Sequence, residues 1–130
     1  MSARLEDLEP ITRALCEAFV QDTLAAGLVL RVTHTLRTMD EQAHLYAKGR
    51  TLAGKIVTNA KPGASPHNFG AAFDVCFQGE RPYPDPSDVR WEQLGEIGEA
   101  LGLVWGGRWR KLQDRPHFER KDWRVLRDKA

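Results

Sequence analysis

The 130-residue sequence predicts an α+β fold: a small central antiparallel sheet flanked by helices, forming one domain over 1–130. Three observations lead there. Stretches of helical period and β-rich stretches are interspersed along the chain, and few of them form parallel crossover units. The composition, 42% hydrophobic and 28% charged, is that of an ordinary globular protein with a core. The length suits a single domain.

Leu5, Leu8, Ile11, Leu15, Phe19 and Leu24 recur at helical spacing and Gly27 follows as a stop, which predicts a helix over 4–25. Leu28 to Thr35 is β-rich, with Leu28, Leu30 and Val32 on one side, and reads as a strand. Thr38 and Glu41 match a capping box, so a second helix is expected from Thr38 to near Gly49. That places Arg37 at a strand-to-helix junction, where a side chain can be aimed into a cleft. Residues 50–66 lack periodicity and hold Gly54, Asn59, Pro62 and Gly63, a loop expected to cover one rim of a site. Ala71 to Phe77 alternates as a central strand. The turn-rich residues 78–87 lead to Ser87, expected to cap a helix with Trp91, Leu94, Ile97 and Leu101 as its apolar stripe and Gly102 as its terminator. Short strands at 103–105 and 115–119 bracket the Gly106-Gly107 turn, and a polar helix over 121–128 closes the chain.

Nineteen basic against eighteen acidic residues leave a formal charge of +1, too little to argue for a polyanionic partner, and no nucleic acid is expected. The basic residues crowd the last quarter, read as a solvated face. Cys16 and Cys76 are expected to be free and buried rather than a disulfide framework. Cys76 follows Asp74 by two, so on a strand it shares that face, and a core role is favoured over approach to a metal. The first twenty residues lack the basic start and apolar run of a signal peptide, and nothing approaches a membrane span. A chain made in the cytoplasm is therefore expected, without membrane insertion and acting elsewhere only after release; it is also expected to be a monomer.

Two segments carry the chemistry: Ser65-Pro66-His67-Asn68-Phe69-Gly70-Ala71-Ala72-Phe73-Asp74 and Asp114-Arg115-Pro116-His117-Phe118-Glu119. Zinc takes His nitrogen and Asp oxygen, and hydrolytic sites use three protein ligands so that a fourth position can hold water. His67, Asp74 and His117 would supply the three. An acid inside the apolar run Ala72-Phe73-Asp74-Val75 is costly to bury without a cation. Hydrolysis also needs a group to take a proton from water and hand one to the leaving amine, for which Asp114 is the candidate. Glu119 is the rival base, or an acceptor for an imidazole N–H. His34 and His44, outside these motifs, read as ordinary surface or core histidines.

The pattern Ser-x-His-x-x-Gly-x-Ala-x-Asp followed by Asp-x-Pro-His-Phe resembles the zinc peptidases of peptidoglycan stem peptides: D-Ala-D-Ala carboxypeptidases and dipeptidases, and the L-alanyl-D-glutamate endopeptidases of phage endolysins. Leu36-Arg37-Thr38 with Glu41-Gln42, Leu45-Tyr46, Gly49-Arg50-Thr51 and Gly102-Leu103-Val104-Trp105-Gly106-Gly107-x-Trp109 resemble the endolysin branch most. The resemblance implies a hedgehog/DD-peptidase-like sheet with zinc in its groove, His67, Asp74 and His117 as ligands, Asp114 as general base, and Arg37 facing the substrate or a developing oxyanion. Ser65 is then a turn cap or a substrate hydrogen-bonding group. Of Trp105 and Trp109, one is core and one cleft wall, Trp109 being carried as the substrate-side residue. The activity implied is L-alanyl-D-glutamate endopeptidase, with D-Ala-D-Ala carboxypeptidase or dipeptidase as the alternative, and a non-catalytic wall-binding virion component as a further one.

Overall fold

Alternation along the second strand divides the molecule into an apolar side and a chemical side. A computed structural model describes all 130 residues. Its elements are α1 (Pro10–Ala25), β1 (Leu30–His34), α2 (Met39–Ala47), β2 (Ala72–Phe77), α3 (Val89–Ala100), β3 (Leu103–Trp105), β4 (His117–Arg120) and α4 (Trp123–Lys129). Short 3-10 turns occur at Leu5–Asp7, Pro66–Phe69 and Gly106–Arg108. The strands form one sheet, ordered β1-β2-β4-β3 and antiparallel throughout. The predicted α+β class is what the chain adopts.

Side chains of a strand point alternately to opposite faces. Phe73, Val75 and Phe77 of β2 therefore share a face with their partners Phe118, Val32 and Leu30. That face packs on Cys16 and Phe19 of α1 and on Trp91 and Leu94 of α3 to make the core. Phe118 lies at its centre, 4.5 Å from the Phe19 ring and 5.9 Å from that of Phe73. Burying each such side chain contributes roughly 2–3 kcal/mol. Gly95 and Gly98 let α3 lie flush on this layer: a Cβ at Gly95 would stand 2.2 Å from Trp105, and one at Gly98 2.6 Å from Phe118. The opposite face carries Asp74 of β2 and its cross-strand partners.

Several boundaries differ from expectation, each for a local reason. The first helix does not run from 4 but begins at Pro10, because proline fits the first helical turn and biases the preceding residue to extended backbone. Glu9 caps it by accepting the N–H groups of Ile11 and Thr12. The buried stripe is then Thr12, Cys16, Phe19 and Thr23, while Ile11 and Leu24 are exposed. Asp88, not Ser87, caps α3 by accepting from Arg90 N–H, and Ser87 instead bonds Asp85. β4 starts at His117, after Pro116, which has no N–H for the ladder. The final helix, expected to be polar, buries Trp123 against Phe69. The capping box at Thr38 and the free, buried state of both cysteines are as expected. Cys76 belongs to the core, its sulfur facing Arg31 at 3.5 Å. No helix is long and apolar enough to cross a membrane.

Candidate metal centre and groove

Asp74 sits on central strand β2, directly opposite His117 on β4. His67 arrives from the Pro66–Phe69 turn just before β2. That turn is capped by Ser65, whose Oγ accepts the His67 N–H at 3.2 Å, so of the two roles expected for Ser65 the cap is visible. Gly70 closes the turn with φ +64°, the left-handed region that glycine enters without cost. A Cβ there would lie 2.9 Å from the Asp7 carbonyl oxygen and 2.9 Å from the Glu9 nitrogen. The α1 entry is thus pressed against the turn that carries His67, and Glu9 N–H donates to the Gly70 carbonyl at 3.0 Å.

The donor atoms of His67, Asp74 and His117 all lie within 4.8 Å of one another. Asp74 Oδ1 is 3.3 Å from His67 Nε2 and 3.0 Å from His117 Nδ1. The outer nitrogens are also engaged. His67 Nδ1 is 2.7 Å from the Thr35 carbonyl oxygen, and His117 Nε2 is 2.8 Å from Glu119 Oε1. A carbonyl only accepts, so His67 carries its proton on Nδ1 and turns the Nε2 lone pair inward. Two lone pairs of like polarity, on His67 Nε2 and Asp74 Oδ1, then face each other. His117 stands between two carboxylates, which can be satisfied without a cation only if both its nitrogens are protonated. Burial opposes that charge, but the hydrogen bonds to Asp74 and Glu119 outweigh it and push His117 up to about 10. Burial likewise opposes ionisation of Asp74, yet hydrogen bonds from His117 and then His34 hold it well below the usual carboxylate range. A divalent cation among the three atoms removes the conflict: it takes the lone pairs of His67 Nε2 and His117 Nδ1, and His117 Nε2–H donates to Glu119. The N,N,O set fits zinc.

Asp114 lies in the segment after the Gly106–Arg108 turn, where its N–H donates to the Gly106 carbonyl at 3.0 Å and its own carbonyl accepts His117 N–H at 3.1 Å. Its carboxylate is outside the ligand-atom trio. Burial raises its pKa; His117 lowers it and the negative Asp74 raises it further. Arg37, at the β1–α2 junction, is half-buried, and its N–H donates to the His67 carbonyl at 3.0 Å. Its guanidinium does not pair with Asp40 or Glu41; Nη1 donates to Gln42 Oε1 at 2.9 Å, and Nε is buried with no partner. Burial lowers its pKa, opposed by the charges of Asp74 and Asp114.

Every residue picked from the sequence, Arg37, Ser65, His67, Asp74, Trp109, Asp114, His117 and Glu119, lines one groove of about 720 Å³. Residues Val57–Ala60 of the predicted rim loop form one wall. Trp109, its ring centroid 5.1 Å from that of His117, contributes to another, while Trp105 is core. Two residues that bear on the site, one behind it and one on its lining, were not foreseen. Gln42, fully buried, links Arg37 to the rim loop by donating from Nε2 to the Ala60 carbonyl at 2.8 Å. His34, read from the sequence as an ordinary histidine, stands at the groove with Nδ1 3.2 Å from Asp74 Oδ2. No local motif marks it, because its direction depends on strand register.

The chain matches the family described as D-alanyl-D-alanine carboxypeptidase over residues 58–120. It is 34% identical over 122 residues to the peptidoglycan L-alanyl-D-glutamate endopeptidase CwlK of Bacillus subtilis (strain 168), covering 87% of this chain and 73% of that protein. Among solved structures, it resembles the L-Ala D-Glu endopeptidase ChiX of Serratia marcescens with a TM-score of 0.64 at 20% identity, over 94% of this chain and 86% of that one. It also resembles a mutant of the vancomycin-resistance D,D-pentapeptidase VanY in complex with Zn(II), with a TM-score of 0.61 at 18% identity, over 93% of this chain and 76% of that one.

Proposed function

The chain belongs to the family of peptidoglycan peptidases that includes D-alanyl-D-alanine carboxypeptidases and CwlK, and from that membership we propose that it is a zinc-dependent L-alanyl-D-glutamate endopeptidase of peptidoglycan stem peptides. The observation that carries this reading is the convergence of His67 Nε2, Asp74 Oδ1 and His117 Nδ1 beside an uncommitted carboxylate, Asp114.

His67, Asp74 and His117 would hold the zinc, which when bound polarises the scissile carbonyl and lowers the pKa of water to about 7. Asp114 accepts the proton of the attacking water on a carboxylate oxygen and delivers it to the nitrogen of the departing amine. The C–N bond breaks, leaving a carboxylate on one fragment and an amine on the other. The Arg37 guanidinium, on the groove lining, faces the negative charge that gathers on the scissile oxygen or on a substrate carboxylate. Gln42 holds that guanidinium in place through Nη1. Thr35 and Glu119 orient the two imidazoles through their outer nitrogens, and Trp109 forms a wall against the peptide. The working unit in this reading is a monomer acting on the cell wall.

Mass spectrometry of products from defined muropeptides, using chelator-stripped and zinc-restored protein, tests the proposal. A new amino-terminal D-glutamate fragment that appears only with metal is expected. Release of free D-alanine instead would make the chain a carboxypeptidase, and cleavage undiminished by chelation would overturn the zinc mechanism.

A further inference from the structure

We propose that His34 is a positioning residue of the metal centre, holding Oδ2 of Asp74 so that Oδ1 alone is turned toward His67 and His117. This rests on the metallopeptidase reading and specifies how its carboxylate ligand is controlled.

Strand parity puts His34 on the wrong face. Leu30 and Val32 pair with Phe77 and Val75 on the core side, and a regular ladder would set Thr33, not His34, against Asp74. The register slips between Val32 and His34, and His34 becomes the partner of Asp74. Such an irregularity inserts one residue, bends the strand and re-aims the side chain that follows. Here it moves an imidazole from the apolar face to the side of the sheet that carries the metal ligands.

The contacts of Asp74 are divided by oxygen. Oδ1 faces His67 Nε2 at 3.3 Å and His117 Nδ1 at 3.0 Å, whereas Oδ2 faces His34 Nδ1 at 3.2 Å. Nδ1 also has the Thr33 hydroxyl at 3.3 Å, but a carboxylate only accepts whereas a hydroxyl can accept as well as donate, so a proton on Nδ1 serves both neighbours. Each of the other two proposed ligands has its own outer partner, Thr35 for His67 and Glu119 for His117. His34 completes the set for the third. His34 is not a member of the ligand-atom trio, and its side chain remains 40% exposed on the groove. The chemical consequence follows from coordination number. A carboxylate free to offer both oxygens would fill the open position that a hydrolytic zinc keeps for water; one whose second oxygen is hydrogen-bonded offers only the first.

Cobalt(II) replacing zinc reports this directly. Affinity is measured by competition with a chelator and coordination by the visible d–d absorption, for wild type, His34→Ala and His34→Gln, with thermal unfolding of the metal-free proteins alongside. His34→Ala is expected to bind cobalt about 10- to 100-fold more weakly, with weaker absorption as coordination number rises, at an unchanged unfolding temperature. His34→Gln, which can still donate an N–H, should recover most of both. Wild-type affinity and spectrum in His34→Ala would overturn the inference, as would a Gln variant no better than Ala. Wild-type protein that takes up no cobalt would instead bring down the metallopeptidase reading, and this proposal with it.

Discussion

Asp114→Asn separates proton transfer from metal binding and from folding. The exchange conserves volume. The Asp114 carboxylate accepts no side-chain hydrogen bond from a protein group, and its backbone is held independently by Gly106 and His117. It contributes no atom to the His67, Asp74 and His117 cluster. Metal content and stability should therefore stay at wild-type values. What is lost is the ability to accept a proton, a contribution of about 10²- to 10⁴-fold in rate, equivalent to roughly 3–5 kcal/mol of transition-state stabilisation. Because the group acts on water and leaving amine rather than on the resting substrate, the loss should fall on kcat with KM little changed. Chromatography of muropeptide products gives both constants, elemental analysis gives bound zinc, and calorimetry gives Tm. Turnover within a few-fold of wild type would refute the assignment. Loss of zinc together with activity would show that Asp114 is a ligand rather than a proton carrier.

Gly70→Ala should lower stability by about 2–4 kcal/mol, from the left-handed backbone and overlap with immovable main-chain atoms, seen as a fall in Tm of roughly 8–15 °C. The pH dependence of stability should carry a signature of Glu9. Burial tends to raise its pKa, but hydrogen bonds from Thr12 and Ile11, with Arg120 beside them, hold it below the ordinary value. A depressed carboxylate contributes stability that is complete above its unfolded pKa and lost as pH falls through its folded one. Unfolding of Glu9→Gln across pH 2–7 should thus show a shallower decline on the acid side, and parallel curves would contradict this. Cys16, fully buried, has its thiol pushed up to about 12, chiefly by burial. At pH 8 only about one molecule in ten thousand would carry the thiolate, so Cys16 should resist a thiol reagent until the protein unfolds. Prompt labelling of native Cys16, read by peptide mass, would show that α1 opens.

Much of the site was legible because its chemistry is written in short spans. His67 and Asp74 lie seven residues apart on one turn and strand, and Asp114 precedes His117 by three. Both motifs fall on or beside strands that the alternation pattern identifies. Element types were legible wherever a local signal was strong, as in the capping box of α2 and the alternation of β2. The misreadings came where one residue outweighed a pattern. Pro10 reset the start of α1, and the face that packs on the sheet includes Thr12 and Thr23, which no hydrophobic count would select. The aromatic Trp123 pulled a charged terminal helix against Phe69.

The sequence by itself determined which groups were available: two imidazoles and a carboxylate suited to zinc, a spare acid, an arginine at a strand end, and an apolar pattern sufficient for a sheet and its helices. Only the tertiary structure decided how they meet. The pairing of β2 with β4 brings Asp74 opposite His117 across 43 residues of chain. The slip in β1 turns His34 to Asp74, and the fold of α2 sets buried Gln42 on Arg37. Register between strands is a long-range choice, made by packing the whole apolar face at once. A shift of one residue reverses every side chain, so no local reading could place a group whose direction depends on it.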